Sequence, residues 1–334
     1  MNIGILGAGS WGIALTKLLS GNGHKLTVWS VDSDEIKMLN ESREHLTKLP
    51  GVKIDNSVSF TTNVEGACKG KEMLVMVVPS PFIRSTAKTI APYYTNQIIV
   101  NVSKGIEEST LMTLTEVIND EIPEATVAVL SGPSHAEEVG KGMPTTVVAG
   151  AATREIAELV QDTFMSDFFR VYTSPDVIGI ELGGALKNVI ALAAGIADGL
   201  GCGDNAKAAI ITRGIAEISR LGCALGGNES TFSGLSGTGD LIVTCASKHS
   251  RNRNAGFLMG QGKTYKEALD EVKMVVEGVY SAKAALKLSE QVNVEMPIVE
   301  MVNKILFEDL SAKDAMVMLL TRMKTAEDKD LIWK

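Results

Sequence analysis

Cysteine is scarce in this 334-residue chain. Its four residues, Cys68, Cys202, Cys223 and Cys245, form no C-x-x-C pair. That pattern argues against a disulfide framework or a zinc site and fits a reducing compartment. Histidine is equally sparse. His24, His45, His135 and His249 match no metal-ligand spacing such as H-E-x-x-H, so no metal is expected, and they suggest no Ser-His-Asp order. Positive charge is in deficit, with 32 Lys and Arg against 40 Asp and Glu and a net charge of −8. A general affinity for nucleic acid or anionic membrane is therefore not expected, and any anion site must be a local cationic cluster. No apolar run reads as long enough to span a bilayer. The first strand-like run starts at residue 2, which leaves no room for a signal peptide and points to the cytoplasm. Internal repeats and low-complexity linkers are absent from the pattern.

What is present is an ordinary globular composition, 45% hydrophobic and 22% charged, long enough for two domains. Asn2-Ile-Gly-Ile-Leu6 reads as a buried strand, and residues 13–20 have a helical apolar rhythm. Between them stands Gly7-Ala8-Gly9-Ser10-Trp11-Gly12. G-x-G-x-x-G between a strand and a helix is the context of a dinucleotide fingerprint. Gly7 permits the tight turn, Gly9 lets backbone approach a pyrophosphate, and Gly12 lets helix and strand pack closely. The helix N-terminus then faces the phosphates. Further strands are expected at 25–29, 57–61, 73–78, 97–102, 126–130, 145–149 and 168–172, with helices at 32–40, 82–91 and 153–165. Residues 42–51 read as a loop. Strands alternating with helices predict an α/β fold, a Rossmann-like, doubly wound, mostly parallel sheet.

After residue 175 strand-like runs nearly vanish. Long helical patterns follow at 176–200, 205–221, 265–272, 278–290, 296–307 and 311–319. The expected division is a dinucleotide-binding domain over 1–175 and an all-helical substrate-binding domain over 176–334, with a cleft between them.

In open parallel sheets ligands bind beyond the carboxyl ends of the strands. Four expected strands end in Gly7-Ala8-Gly9, Pro79-Ser80-Pro81, Ser103-Lys104-Gly105 and Gly132-Pro133-Ser134. Lys104 alone among these brings a full positive charge. A second lysine lies in Glu181-Leu-Gly-Gly-Ala-Leu-Lys187-Asn188, on a helix face cleared by Gly183 and Gly184. A lysine in an apolar setting suits acid–base work, although close helix packing would also explain the glycines. The run 233–240 ends in Asp240 and reads either as a phosphate cradle or as a turn whose Asp240 caps a helix. Ser250-Arg251-Asn252 reads either as a solvated basic loop or as a phosphate grip before a helix. His135 reads as packing or a cap beside Ser134.

Taken together, the motifs at 7–12, 103–105, 132–134, 181–188, 237–241, 250–252 and Val276-Glu277-Gly278-Val279 resemble, in order and over nearly the whole chain, those of the NAD(P)-dependent glycerol-3-phosphate dehydrogenase family of bacterial type. The resemblance implies a cytosolic homodimer. It would interconvert dihydroxyacetone phosphate and sn-glycerol 3-phosphate with NAD or NADP as cofactor and supply phospholipid synthesis. By position it implies Lys187 as general acid/base. Lys104, Asn188, Asp240 and Thr244 would surround the reacting carbons. Gly132 and Ser134 would border the substrate, and Ser250, Arg251 and Asn252 would hold its phosphate or its surroundings. Cofactor positions are Gly7, Gly9, Ser10, Trp11, Gly12, Lys104, Ala136, Arg251, Val275 and Glu277. Many members carry arginine where this chain has Val31. With Asp32 next to it, an acid that favours a free ribose hydroxyl unless it only caps a helix, NADH is expected to serve at least as well as NADPH. Lys48 is a cation that could restore some NADP binding. The alternatives are a related hydroxyacid or sugar-acid dehydrogenase and a dinucleotide-binding regulator without turnover.

Overall fold

The structure is a computed structural model that describes residues 1–327; the last seven residues of the expected helical domain lie outside the described residues. The first half builds one sheet. β1 (Asn2–Leu6) turns through the glycines into α1 (Ser10–Gly21), and β2 (Lys25–Trp29) leads to α2 (Ser33–Ser42). A hairpin of β3 (Glu44–His45) and β4 (Leu49–Lys53) precedes β5 (Ser59–Thr61) and α3 (Val64–Cys68). Then come β6 (Met73–Met76), α4 (Ile83–Ile90), β7 (Ile98–Asn101), α5 (Leu114–Glu121), β8 (Thr126–Ser131), α6 (Ala136–Val139), β9 (Thr145–Ala151), α7 (Arg154–Phe164) and β10 (Phe169–Ser174). The eight-stranded order is β10-β9-β8-β7-β6-β1-β2-β5. All neighbours are parallel except β8 and β9. After β1 the chain builds outward through β2 and β5, then returns to pair β6 on the other side of β1. That reversal opens a crevice at the carboxyl ends of β1 and β6.

Strand alternation divides the core into two layers. Ile3, Ile5, Val28 and Val75 pack with Leu15 and Leu19 of α1 on one face. Leu6, Leu74, Met76 and Ile99 pack with Ile83 of α4 and Val117 of α5 on the other. The segment expected as a loop at 42–51 instead contains the β3–β4 hairpin. Leu49 and Val52 anchor it by burying their side chains in the first of these layers, a tertiary contact with no local periodicity to announce it.

The second half is helical throughout its described residues. α8 (Val177–Gly199), α9 (Gly203–Ala224) and α10 (Glu229–Phe232) are followed by a π-helical turn, Leu235–Gly239, and by α11 (Asp240–Ala246). Next come α12 (Arg251–Gly260), α13 (Tyr265–Val272), α14 (Glu277–Gln291), α15 (Pro297–Phe307) and α16 (Ala312–Leu320). α8 starts on Asp176, whose carboxylate accepts a hydrogen bond from Gly179 N. The same carboxylate accepts from Asn228 N and Thr231 Oγ1, which ties α10 to the start of α8. The expectation that no apolar run reaches membrane-spanning length needs correction. α8, 23 residues with a mean hydropathy of 1.6, passes that test, but 89% of its most apolar window is buried inside the protein. A helix apolar on all sides is the mark of a central core element, and the helical core is packed around it.

α8 and α12 meet at backbone distance. An added Cβ at Gly195 would stand 2.1 Å from the Arg253 carbonyl oxygen, and one at Gly256 would stand 2.2 Å from that of Leu192. Gly199 and Gly260 repeat the contact one turn on, at 2.2 Å from Phe257 O and 2.3 Å from Ile196 O. Small residues spaced by four place two helices this close.

Candidate active site

The glycine loop at the crevice has the form its spacing predicts. Gly7 has φ +127°, and a Cβ there would lie 2.8 Å from the Val77 carbonyl oxygen. At Gly12 a Cβ would lie 2.1 Å from Gly7 O, so both positions exclude a side chain. Gly9 has nothing within 4 Å of its added Cβ, so its surface is open. It is also the N-cap of α1, with no side-chain cap and no acid in the first turn. The first N–H groups of α1, around Ser10 and Trp11, are thus left for a ligand, which is what an anion needs. These residues fit a dinucleotide. Ala136 opens α6, which packs on α1. Glu277 opens α14 from the helical half, one residue past its N-cap Val276, with Val275 just before. The Glu277 carboxylate accepts from Ser80 N at 3.0 Å and from the Ser80 hydroxyl. Burial raises its pKa against the pull of Ser80 and Arg251.

Three charged groups from distant parts of the chain form the centre. Lys104, in the loop after β7, places Nζ 2.6 Å from Asp240 Oδ2 and donates to Gly132 O at 2.9 Å. Lys187, near the middle of α8, places Nζ 3.0 Å from Asp240 Oδ1 and donates to Thr244 Oγ1 at 2.7 Å. Thr244 in turn donates to the Asp240 carbonyl oxygen at 2.6 Å. Asp240 is 1% exposed and Lys187 6%. The two lysines hold the Asp240 carboxyl below its usual range despite burial, which acts the other way. Burial, reinforced by Lys104, pushes Lys187 down to about 8, with Asp240 resisting. Of the two readings of 233–240, the one in which Asp240 caps a helix does not hold. Asp240 is the first residue of α11, and its oxygens pair with lysines. The space beside Gly183 and Gly184 is filled by the π-turn carbonyl of Ser236, 2.7 Å from an added Cβ at Gly183, and by Lys104 Cγ, 3.5 Å from one at Gly184.

The polar set continues along α8. Asn252 donates to Asn188 Oδ1 at 2.9 Å and accepts from Gly278 N at 2.8 Å, joining α12, α8 and α14. Ser250 caps α12 by accepting from Arg253 N, and Arg251 is the first helical residue. On the sheet side Ser134 donates to Gly132 O at 2.9 Å. Gly132 has φ +139°.

Val31 and Asp32 lie elsewhere, just past the end of β2, three strands from β7 in the sheet order, and Lys48 lies in the turn between β3 and β4. Val31 is 80% exposed. Asp32 caps α2, accepting from Asp34 N and Glu35 N at 2.9 and 3.1 Å. Lys48 does not stand free: its Nζ lies 2.5 Å from Glu35 Oε1, which also accepts from His45 at 2.7 Å. Hydrogen bonds from His45, Lys48 and Ser30 overcome burial and hold Glu35 at about 2.

Comparison with known proteins gives the family. The family model for the NAD-dependent glycerol-3-phosphate dehydrogenase N-terminus matches residues 2–157, and the model for its C-terminus matches residues 176–317. The chain belongs to this family. It is 61% identical over 333 residues to the NAD(P)+ glycerol-3-phosphate dehydrogenase of Agathobacter rectalis, covering 99% of each chain. It is 57% identical over 330 residues to that of Fusobacterium nucleatum, covering 98% of each. A solved glycerol-3-phosphate dehydrogenase from Coxiella burnetii superposes with a TM-score of 0.93 at 35% identity, over 96% of this chain and 99% of that one. As a member of the NAD-dependent glycerol-3-phosphate dehydrogenase family, the protein is an NAD(P)-dependent oxidoreductase.

Two polar groups that hold this family site together escape a reading by motif. Ser80 binds Glu277 across 197 residues. Glu181, fully buried, accepts from Thr115 N at 3.0 Å and from Asn101 Nδ2 at 3.2 Å, clamping α8 to the sheet rim. Its one sequence signal is a carboxylate in an otherwise apolar helix.

Proposed function

We propose that the Lys104–Asp240–Lys187 cluster interconverts dihydroxyacetone phosphate and sn-glycerol 3-phosphate. The observation that carries the reading is one buried carboxylate bridging two lysines, one from each half of the molecule. A bound nicotinamide supplies or accepts the hydride at the central carbon. In the ketone-reducing direction the Lys187 ammonium gives its proton to the oxygen that gains negative charge. In the reverse direction the neutral amine takes it back. A pKa of about 8 suits both tasks near neutral pH. Lys104 is a second fixed cation beside that oxygen, and stabilising charge in a site shielded from water is worth more than it is in bulk water. Asp240 orients both ammonium groups, and Thr244 fixes the rotamer of Lys187. Ser250, Arg251 and Asn252 at the start of α12 bind the phosphate, with Gly132, Ser134 and Asn188 completing the substrate wall. Gly7, Gly9, Ser10, Trp11, Gly12, Lys104, Ala136, Arg251, Val275 and Glu277 line the cofactor groove, and Val31, Asp32 and Lys48 border its adenosine end.

In the same reading residues 1–175 are the cofactor domain and 176–334 the substrate domain of a cytoplasmic homodimer that supplies glycerol 3-phosphate to phospholipid synthesis. Leu320 and Met323, 78% and 92% exposed at the end of α16, support a covered surface there. The deciding experiment follows NADH and NADPH absorbance with dihydroxyacetone phosphate and, separately, with dihydroxyacetone. Turnover of the phosphate ester alone supports the reading, and equal turnover of both ketones overturns it.

A further inference from the structure

Two histidines stand where the halves meet, and the scheme above does not use them. His135 follows Ser134 at the start of α6, and His249 precedes Ser250 and Arg251. Their ring centroids are 6.0 Å apart with planes inclined at 56°. His249 is exposed. His135 Nε2 is buried and has no hydrogen-bond partner among the described residues. A buried ring nitrogen without a partner is costly, and the ring lies within electrostatic reach of Lys187 and Lys104. The charges that bear on the ring are Lys187 and Lys104, which oppose its protonation, and Glu137, which favours it, as does the nearby Val243 backbone. Burial, followed by Lys187, holds its pKa below the ordinary histidine value, so the free imidazole is neutral at pH 7.

We propose that His135 is a further ligand of the substrate phosphate, with His249 closing the outer side of the same subsite. The inference rests on the dihydroxyacetone phosphate reading. Nε2 takes a proton from solvent as the phosphoryl dianion enters, and the resulting imidazolium donates a hydrogen bond to a phosphoryl oxygen. No other bond forms or breaks. A dianion beside the ring reverses the balance that two lysines impose on it, so substrate binding and protonation are linked.

The test is calorimetric binding of sn-glycerol 3-phosphate to the enzyme–NADH complex at pH 8, in two buffers of different protonation enthalpy. NADH and the alcohol cannot react, and a phosphate monoester with a second pKa of about 6 is already a dianion there. Wild type is expected to take up more proton than His135→Gln, the difference isolating His135 from any uptake at Lys187. In steady state His135→Phe is expected to raise KM for dihydroxyacetone phosphate about tenfold or more. The neutral donor of His135→Gln should recover part of that loss, with kcat and NADH affinity held within about twofold in both. Equal proton uptake by wild type and His135→Gln, or an unchanged KM in both variants, overturns the proposal. If wild type does not prefer the phosphate ester to dihydroxyacetone, the underlying reading fails. If it does, and Arg251→Ala raises KM while the His135 variants do not, the role of His135 alone fails.

Discussion

Lys187 owes its acidity to its address. An ammonium 6% exposed, sharing Asp240 with the repelling Lys104, sits at about 8 because burial outweighs the one carboxylate it shares. The pH dependence follows from that number. Ketone reduction needs the protonated form and is expected to fall as pH rises through about 8, while alcohol oxidation is expected to rise over the same interval. Rate profiles in both directions between pH 6 and 10 check this, and the absence of an inflection near 8 in both would remove Lys187 as the proton carrier. Lys187→Met is expected to lower kcat by about 10²- to 10⁴-fold while NADH binding persists. The adenosine end sets a second expectation. Val31 brings no donor to that end, and Lys48 is already engaged by a Glu35 carboxylate that also holds His45. NADH should therefore serve at least as well as NADPH. Val31→Arg should shift the preference toward NADPH by about 1.5–3 kcal/mol, the range for a charge-assisted hydrogen bond. The ratio of kcat/KM for the two cofactors measures it, and a wild-type preference for NADPH of tenfold or more would contradict the premise.

At the scale of elements, the contact of α8 with α12 positions the polar residues. Gly256→Ala is expected to destabilise by about 1–3 kcal/mol or more, because the added methyl has backbone, not a movable side chain, in front of it. Gly21→Ala is the matching control, since nothing lies within 4 Å of its Cβ, and its melting temperature should stay near or slightly above that of wild type. Thermal unfolding of both variants decides, and equal melting temperatures would show that the helices can move apart. These elements also show which features the sequence displays. The β1–glycine–α1 unit was legible because its strand, turn and helix are contiguous and each glycine has a local reason. Lys104 was legible as a charge at a strand end, and Lys187 as a polar residue in an apolar helix. The β3–β4 hairpin was not legible, since burial of Leu49 and Val52 depends on a core assembled from distant strands. Asp240 could be singled out, but not its bridge to lysines 136 and 53 residues away in sequence, because pairing across the fold leaves no spacing to read. The partnership of Gly195 and Gly256 is hidden for the same reason.

On the scale of the whole molecule, a chain of net charge −8 collects Lys104 and Lys187 around one Asp240 at the junction of its sheet and its helices, with Arg251 in electrostatic reach of Glu277. The sheet half brings Lys104 and the glycine loop, the helical half brings Lys187, Asp240 and Arg251, and α8 touches both. The backbone contact of α8 and α12 has a consequence for what the site accepts. With carbonyl oxygens of one helix against α-carbons of the other, the separation between the backbones that carry Lys187 and Arg251 cannot stretch by a rotamer change. In the proposed reading the main chain therefore limits the interval between proton donor and phosphate grip, and substrate length is expected to matter beside charge. A ketose phosphate with one more carbon between carbonyl and phosphate should lose mainly kcat, because its phosphate can be held only by moving its carbonyl off the donor, and a displacement of about 1 Å can cost on the order of a hundredfold in rate. Comparing kcat and KM for the two ketones tests that limit directly, and equal kcat values would show that the interval is elastic after all.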